Sequence, residues 1–511
     1  MAEEIKAITD TIDKNNDLNH NTYINVRLSD NTPATNPLEQ VLSSDLNNVE
    51  TPIVDALEHC YQNPSMQFHI PGHTKGKAIL PKFKNLIGKK AVLLDRTDEF
   101  DNTGTLHPAT GPIEKAQELA AQAFGAAKTF FLVNGSTIGN LALALTVTKP
   151  NQKVLIGRNC HRSVTNGITL SGAHPVWLIP DKLDNWSLWG GITPQNIEQQ
   201  IEKHPDIKVV WLTNPTYEGV VSDTEAIAKV CKKHNLILIV DEAHGSLWNF
   251  NNKFPKTAIQ AGADAVVNSM HKTGGSLSQS SVLHLAKNSK ISASLLESNI
   301  KMLHTTSPSY LLLASIDAAR AYISSQTGLK NIEECVQNAL YLRSRISKNP
   351  KVKLLSNNNE FSVDPTKVYL MVEGLSGKRL ESILEIEYHI EVESATDNGI
   401  LALCNIGNTR EDIEYFCECL ESITNSNYSD ISYLEKTKYM PLIEPKIIYT
   451  PRDAFHMEKE HVPTKKAVGR IAGELIAECP PGISVFVPGE LIREEHLPYL
   501  TRYKTVTVIK E

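Results

Sequence analysis

The chain has 511 residues, 51 Lys and Arg against 58 Asp and Glu, and a formal net charge of −7. That balance lacks the basic face of a nucleic-acid binder, while a hydrophobic content of 41% is too high for a disordered chain. No run approaches the ~18 apolar residues of a membrane span, and the start MAEEIKAITDTIDKNN has no apolar leader core. A cytoplasmic protein with neither a nucleic-acid nor a membrane partner is expected. Eight cysteines without CxxC spacing fit reduced thiols better than disulfides or a zinc site. At roughly 150 residues per domain, the length suggests about three units.

In chain order, residues 1–50 hold nine acids, three bases and nine Asn, and read as a polar arm with one short helix near Pro37–Leu46. From Thr51 the pattern changes. Short β-branched or aromatic runs occur at 129–133, 153–156, 175–179, 208–212, 236–240, 265–267 and 281–285. Several are apolar throughout, as strands covered on both faces must be. Capped amphipathic stretches alternate with them. Asp223 is an N-cap signal, and Thr193-Pro194 places proline at the first helical position. This alternation implies right-handed βαβ crossovers and a mostly parallel sheet, so 51–345 reads as one large α/β domain. Strands at 367–372 and 400–403 between helices predict a small α+β domain over 346–430. The proline-rich segments past Tyr439 suggest a compact C-terminal domain over 431–511.

Four segments carry chemistry. Val133-Asn-Gly-Ser-Thr-Ile-Gly139 follows a strand and opens a helix, where backbone N–H groups and the Ser136 and Thr137 hydroxyls can cradle an anion. Cys160-His-Arg-Ser163 offers an imidazole, His161, able to stack on a planar ring. Asp241, where the strand 236–240 ends, lies at the crevice edge where open α/β sheets bind ligands. An acid there can pair with a protonated pyridine nitrogen, and it can equally be an N-cap or a metal ligand. Asn268-Ser-Met-His-Lys-Thr-Gly-Gly275 sends Lys272 from a strand into a glycine turn, as a Schiff-base nucleophile or as a solvated loop lysine. The metal reading ranks below the cofactor reading because no His/Cys cluster stands at ligand spacing.

Together, these segments resemble fold-type I pyridoxal-phosphate enzymes, and within them the shorter, wing-less form of the Orn/Lys/Arg decarboxylase family. The resembling segments are PGHTKG (71–76), GTLHPATGPIEKAQELAAQAFGA (104–126), FFLVNGSTIGN (130–140), RNCHRSV (158–164), PTYEGVVSD (215–223), VDEAHG (240–245), SMHKTGGSLSQSS (269–281), HTTSPSY (304–310) and PPGISVFVPGE (480–490). The resemblance implies an aminotransferase-like large domain binding pyridoxal 5'-phosphate. Lys272 would attach the cofactor, Asp241 hold the pyridine nitrogen, and Ala243 and His161 lie on opposite ring faces. Ser136, Thr137 and Ser269 would bind phosphate, with His271 near the phosphate and the Schiff base. It also implies a homodimer or higher homo-oligomer with active sites at the interface, where Thr305, Thr306 and Ser307 reach the neighbouring cofactor.

The expected reaction is decarboxylation of a basic amino acid to its amine and CO2, with arginine favoured over lysine or ornithine. Another fold-type I reaction, transamination or β-elimination, is the enzymatic alternative, and transamination would ask for an arginine that clamps the substrate carboxylate. Arg410 is a candidate, although Thr409 reads as an N-cap with Arg410 the exposed first residue of its helix. A cofactor-less paralogue is a third reading, opposed by the intact Lys272, Asp241 and His161 set. The distal cation of the substrate needs an acid. Glu490, after an apolar strand and a Pro-Gly turn, is the expected residue, with Asp98 and Glu99 as weaker candidates.

Overall fold

The structure, a computed structural model, describes residues 46, 49–96, 102–358, 361–426, 428, 443–478 and 482–510. The arm and the short helix expected near Pro37–Leu46 therefore lie almost wholly outside the described residues, as do Asp98 and Glu99.

The seven expected strands of the large domain all form. They are β1 (Lys128–Leu132), β2 (Lys153–Gly157), β3 (His174–Leu178), β4 (Val209–Thr213), β5 (Ile237–Asp241), β6 (Ala265–Asn268) and β7 (Ser281–Leu285). They build one sheet in the order β1-β7-β6-β5-β4-β2-β3. The strands from β3 to β6 run parallel, and β7 is antiparallel to both of its neighbours.

The apolar runs have a direct cause. Val154, Ile156, Trp211, Ile239 and Val267 point into a core shared with the helices Gly135–Val147, Arg162–Ser171 and Ala293–Leu303. Their alternates Leu155, Val210, Leu212, Leu238, Val240 and Val266 point into a second core with Pro194–Lys203 and Thr224–Lys233. With helices on both faces, neither half of a strand can be polar. Asp223 and Thr193 cap their helices through side-chain oxygens that accept the Ala226 and Asn196 backbone N–H groups.

The later strands β8 (Val352–Leu354), β9 (Lys367–Val372), β10 (Ser394–Ala395) and β11 (Ile400–Leu403) form an antiparallel sheet in the order β8-β9-β11-β10. Helices Gln326–Ile346, Gly377–Tyr388 and Arg410–Asn425 share one core with it. A further small core gathers Val462, Ile476, Phe486, Ile492, Val506 and Val508 around two antiparallel strand pairs. This last unit is tied to the end of β2. The Arg158 guanidinium donates to the carbonyls of Ser484 at 2.6 Å and Val485 at 3.0 Å, and the Arg162 N–H donates to the Gly482 carbonyl.

Candidate active site

The carboxyl ends of β2, β4, β5 and β6 open into a cleft of about 880 Å³, closed on its other sides by residues of the small sheet and of the C-terminal unit. Ser136, Thr137, His161, Asp241, Ala243, Ser269, His271 and Lys272 line it, whereas Thr305, Thr306, Ser307, Arg410 and Glu490 do not.

At the amino end of helix Gly135–Val147, Asn134 makes no side-chain cap and Gly135 takes a left-handed φ of 74°. The first N–H groups of the helix are thus left for another acceptor. Beside them the Ser136 hydroxyl lies 2.7 Å from the Ser269 hydroxyl and 2.6 Å from that of Ser281, which donates to the Asn268 carbonyl. Uncapped N–H groups together with clustered hydroxyls suit a phosphate.

Asp241 is the last residue of β5 and is 3% exposed. One of its oxygens accepts the Asn140 side-chain amide at 2.9 Å, and the other accepts the Ala243 N–H at 3.3 Å. The same Asn140 amide donates to the Ser163 hydroxyl at 2.9 Å, and that hydroxyl lies 2.7 Å from Nδ1 of His161. Nδ1 also accepts the Ser163 N–H, so neutral His161 carries its proton on Nε2. Burial lowers the pKa of His161, partly offset by the Asp241 charge, which keeps the ring neutral and suited to stacking. Asn140 and Ser163 were not singled out from sequence. They lie inside quoted segments, but the contact between helices Gly135–Val147 and Arg162–Ser171 that joins them is tertiary.

Lys272 leaves β6 in the short helix Met270–Thr273. Burial lowers the pKa of its amine, while the charges of Asp241 and Glu393 act to raise it. Nζ lies 3.0 Å from Nε2 of His244, a residue that the sequence reading passed over. Its signal was present: a histidine three residues past Asp241 in the turn that leaves β5. His271 Nδ1 donates to the Ser280 carbonyl at 2.8 Å, which fixes its tautomer when neutral. Its pKa is lowered mainly by burial.

Two expectations change. Glu490 is fully buried and does not reach the cleft. Its carboxylate accepts the Val487 N–H at 3.2 Å and lies 3.8 Å from Arg158 and 3.3 Å from His496. The Pro-Gly turn aims it inward, into the joint between the C-terminal unit and β2. Arg410 is half-buried rather than exposed, stacked 4.2 Å over the Tyr341 ring and absent from the cleft lining. Its helix is capped by Thr409 as expected, with Asp412 completing a capping box. Ser307 is exposed and lies outside this chain's cleft, its N–H bound to the Thr305 hydroxyl. Among the described residues, no group of acids, histidines and cysteines is placed to hold a metal ion.

An amine, a buried carboxylate and a hydroxyl-lined anion cradle in one cleft are the donor set that pyridoxal phosphate requires. Comparison with known proteins agrees. Residues 51–372 match the model of the Orn/Lys/Arg decarboxylase major domain, and residues 433–508 match that of its C-terminal domain. The chain belongs to the Orn/Lys/Arg decarboxylase family.

Similar family members include the arginine decarboxylase of Bacillus subtilis (strain 168), 36% identical over 88% of this chain and 93% of that one. The arginine decarboxylase of Bacillus anthracis is 37% identical over 89% and 94%. Among solved structures, Escherichia coli constitutive lysine decarboxylase superposes with a TM-score of 0.78 at 21% identity, covering 93% of this chain and 84% of that one. Pseudomonas aeruginosa lysine decarboxylase A gives 0.78 at 21%, covering 93% and 82%. At these identities the two structures establish a shared fold.

Proposed function

We propose that this family member is a pyridoxal-phosphate-dependent decarboxylase acting on a basic amino acid, with arginine as the favoured substrate and lysine or ornithine as alternatives. The observation that carries this reading is the Lys272 amine opening onto the same cleft as the buried Asp241 carboxylate, in a chain that matches both family models. The choice of arginine rests on the relatives named for it at 36–37% identity.

When bound, the cofactor supplies the electron sink that lets CO2 leave. The protein's share is placement and charge. Lys272 attaches the cofactor, and the uncapped helix end with Ser136, Thr137 and Ser269 holds its phosphate. Asp241, clamped by Asn140 and the Ala243 N–H, balances the positive ring nitrogen. Ala243 and the neutral His161 ring cover its two faces. Lys272 and His271 are the groups in reach to return a proton to the substrate carbon.

With Glu490 committed elsewhere, the distal cation of the substrate needs a different acid. Glu393, Glu381 and Asp397 line the cleft. Asp397 is already paired with Lys378 at 2.5 Å. Glu393 accepts the Tyr217 hydroxyl at 2.8 Å and is otherwise open to the cleft, which favours it for that role.

Homodimerisation is part of the same reading. Met66, Phe68, Ile70, Leu80 and Leu86 are between 60% and 92% exposed within one short stretch of chain. Such an apolar concentration suits a face covered by a second copy, and the exposed Ser307 suits a residue that serves the neighbouring site. A cytoplasmic location accords with the absence, among the described residues, of a helix long and apolar enough to cross a membrane. The test is amine and CO2 profiling of the pyridoxal-phosphate-loaded protein with arginine, lysine and ornithine in parallel. The amine of arginine should dominate; a keto acid, or no product from any of the three, overturns the reading.

A further inference from the structure

His244 touches the Lys272 amine and has no task in the reading above. We propose that it is the positioning residue for that amine: Nε2 of the neutral imidazole receives an N–H of Lys272 and fixes where the amine points whenever it is free. The inference rests on the reading that Lys272 carries the cofactor. It concerns the lysine before capture and after substrate has displaced it.

The geometry limits the alternatives. His244 sits in the tight turn after β5, where the Gly245 N–H donates to the Glu242 carbonyl. A Cβ at position 245 would fall 2.5 Å from the Glu242 side chain, so glycine is required for the turn to close over that residue. The imidazole is buried, with its edge against the Tyr217 ring at 5.5 Å. Nε2 lies 3.0 Å from Nζ, and Nδ1 is buried with no hydrogen-bond partner among the described residues.

An ammonium group offers only hydrogens. Facing one, Nε2 must present its lone pair, which places the ring's single proton on Nδ1. The surroundings oppose a second proton. Lys272 and His271 approach from the turn after β6, and Lys367 lies nearby on β9. Tyr217 packs against the ring from the loop after β4, and Glu218 from that loop, Asp241 from the end of β5 and Glu393 from the small sheet line the same cleft. Burial first, then the charges of Lys367, Lys272 and His271, push the imidazole well below its ordinary pKa. A neutral acceptor beside an amine whose own pKa burial lowers can orient it without competing for the proton.

Side-chain length gives a test that a filling role would not pass. The glutamine carbonyl oxygen can reach the place of Nε2, whereas that of asparagine stops near Nδ1. The measurement is the rate at which the cofactor-free full chain captures pyridoxal phosphate, followed by the absorbance of lysine-bound cofactor, with thermal midpoints recorded alongside. His244→Leu and His244→Asn should capture the cofactor ~10–100-fold more slowly than the unaltered protein, the range expected for losing a hydrogen bond to a charged group. His244→Gln should stay within about threefold of it. Capture by His244→Leu at the unaltered rate, or equal rates for the Gln and Asn variants, overturns the proposal. If His244→Leu fails to fold, the Gln–Asn contrast decides. Failure of the underlying reading looks different: the unaltered protein would take up no pyridoxal phosphate, or Lys272→Ala would take it up with the same absorbance. Either result overturns both.

Discussion

Two sets of titratable side chains flank the end of β2, and they differ in one respect that decides their use. Around Lys272 the groups share a cleft: Asp241, His161, His244 and His271 all reach the same space. Around Glu490 they share a joint. Arg158 spends its donors on the carbonyls of Ser484 and Val485 and stacks 5.3 Å from the Trp177 ring, while Glu490 and His496 are fully buried beside it. Both sets hold a buried acid and a buried histidine, Asp241 with His244 and Glu490 with His496. Only the first presents them to a ligand. A buried ionic group is therefore a weak sign of catalysis until its access is known.

The sharpest way to break this contrast is at Lys272. Lys272→Ala removes the primary amine and should lower decarboxylation on the order of 10⁴-fold or more, with loss of the lysine-bound cofactor absorbance. Asp241→Asn should be milder, lowering kcat ~10²–10³-fold while cofactor stays bound through the helix end and its hydroxyls. A fall in Asp241→Asn confined to KM would remove the residue from charge balance at the ring nitrogen. Steady-state kinetics with absorbance spectra of both variants decide the matter.

Glu490→Gln tests the other side. Substitution in the joint should leave Arg158 without a carboxylate nearby, at a cost on the order of 3 kcal/mol, the scale for breaking a buried pair. The active-site constants should stay within about twofold at temperatures where the variant remains folded. Denaturant midpoints and KM on the same preparations check this. A large rise in KM without loss of stability would return Glu490 to the substrate pocket.

The error over Glu490 shows where sequence stopped being legible. The strands were readable because helices on both faces make them apolar throughout, and the caps at Thr193, Asp223 and Thr409 because a side-chain oxygen must meet the first turn. The cleft lining from Ser136 to Lys272 was readable because each residue follows directly on a strand end, a place that topology assigns to ligands. Glu490 also follows a strand, but the small C-terminal unit has no such rule, and the direction of its turn depends on Arg158, more than 300 residues away. The Asn140 link between Asp241 and Ser163 was hidden for the same reason. Nothing local in Asn140 records that a second helix lies 2.9 Å from its amide.

The smallest expected effect lies next to the site. Glu242 adjoins Asp241 but points the opposite way, and is 1% exposed. Its carboxyl accepts the Ala258 N–H at 2.6 Å and the Asn268 amide at 3.3 Å. Burial pushes its pKa up to about 8, from an ordinary 4.5, against the pull of those two donors. A folded-state pKa above the unfolded one means that the native protein keeps a proton which the unfolded chain releases. The contribution of Glu242 to stability is then fully present below about pH 4.5 and is lost as the pH rises through about 8. Glutamine imitates the protonated acid at every pH. Glu242→Gln should therefore flatten the fall in unfolding free energy between pH 5 and 8, by an amount on the order of a few kcal/mol. Urea midpoints at the two pH values, compared between the unaltered protein and the variant, measure the difference. An identical fall in both would mean that Glu242 is ionised in the folded protein, and that the DEAH turn carries two buried charges instead of one.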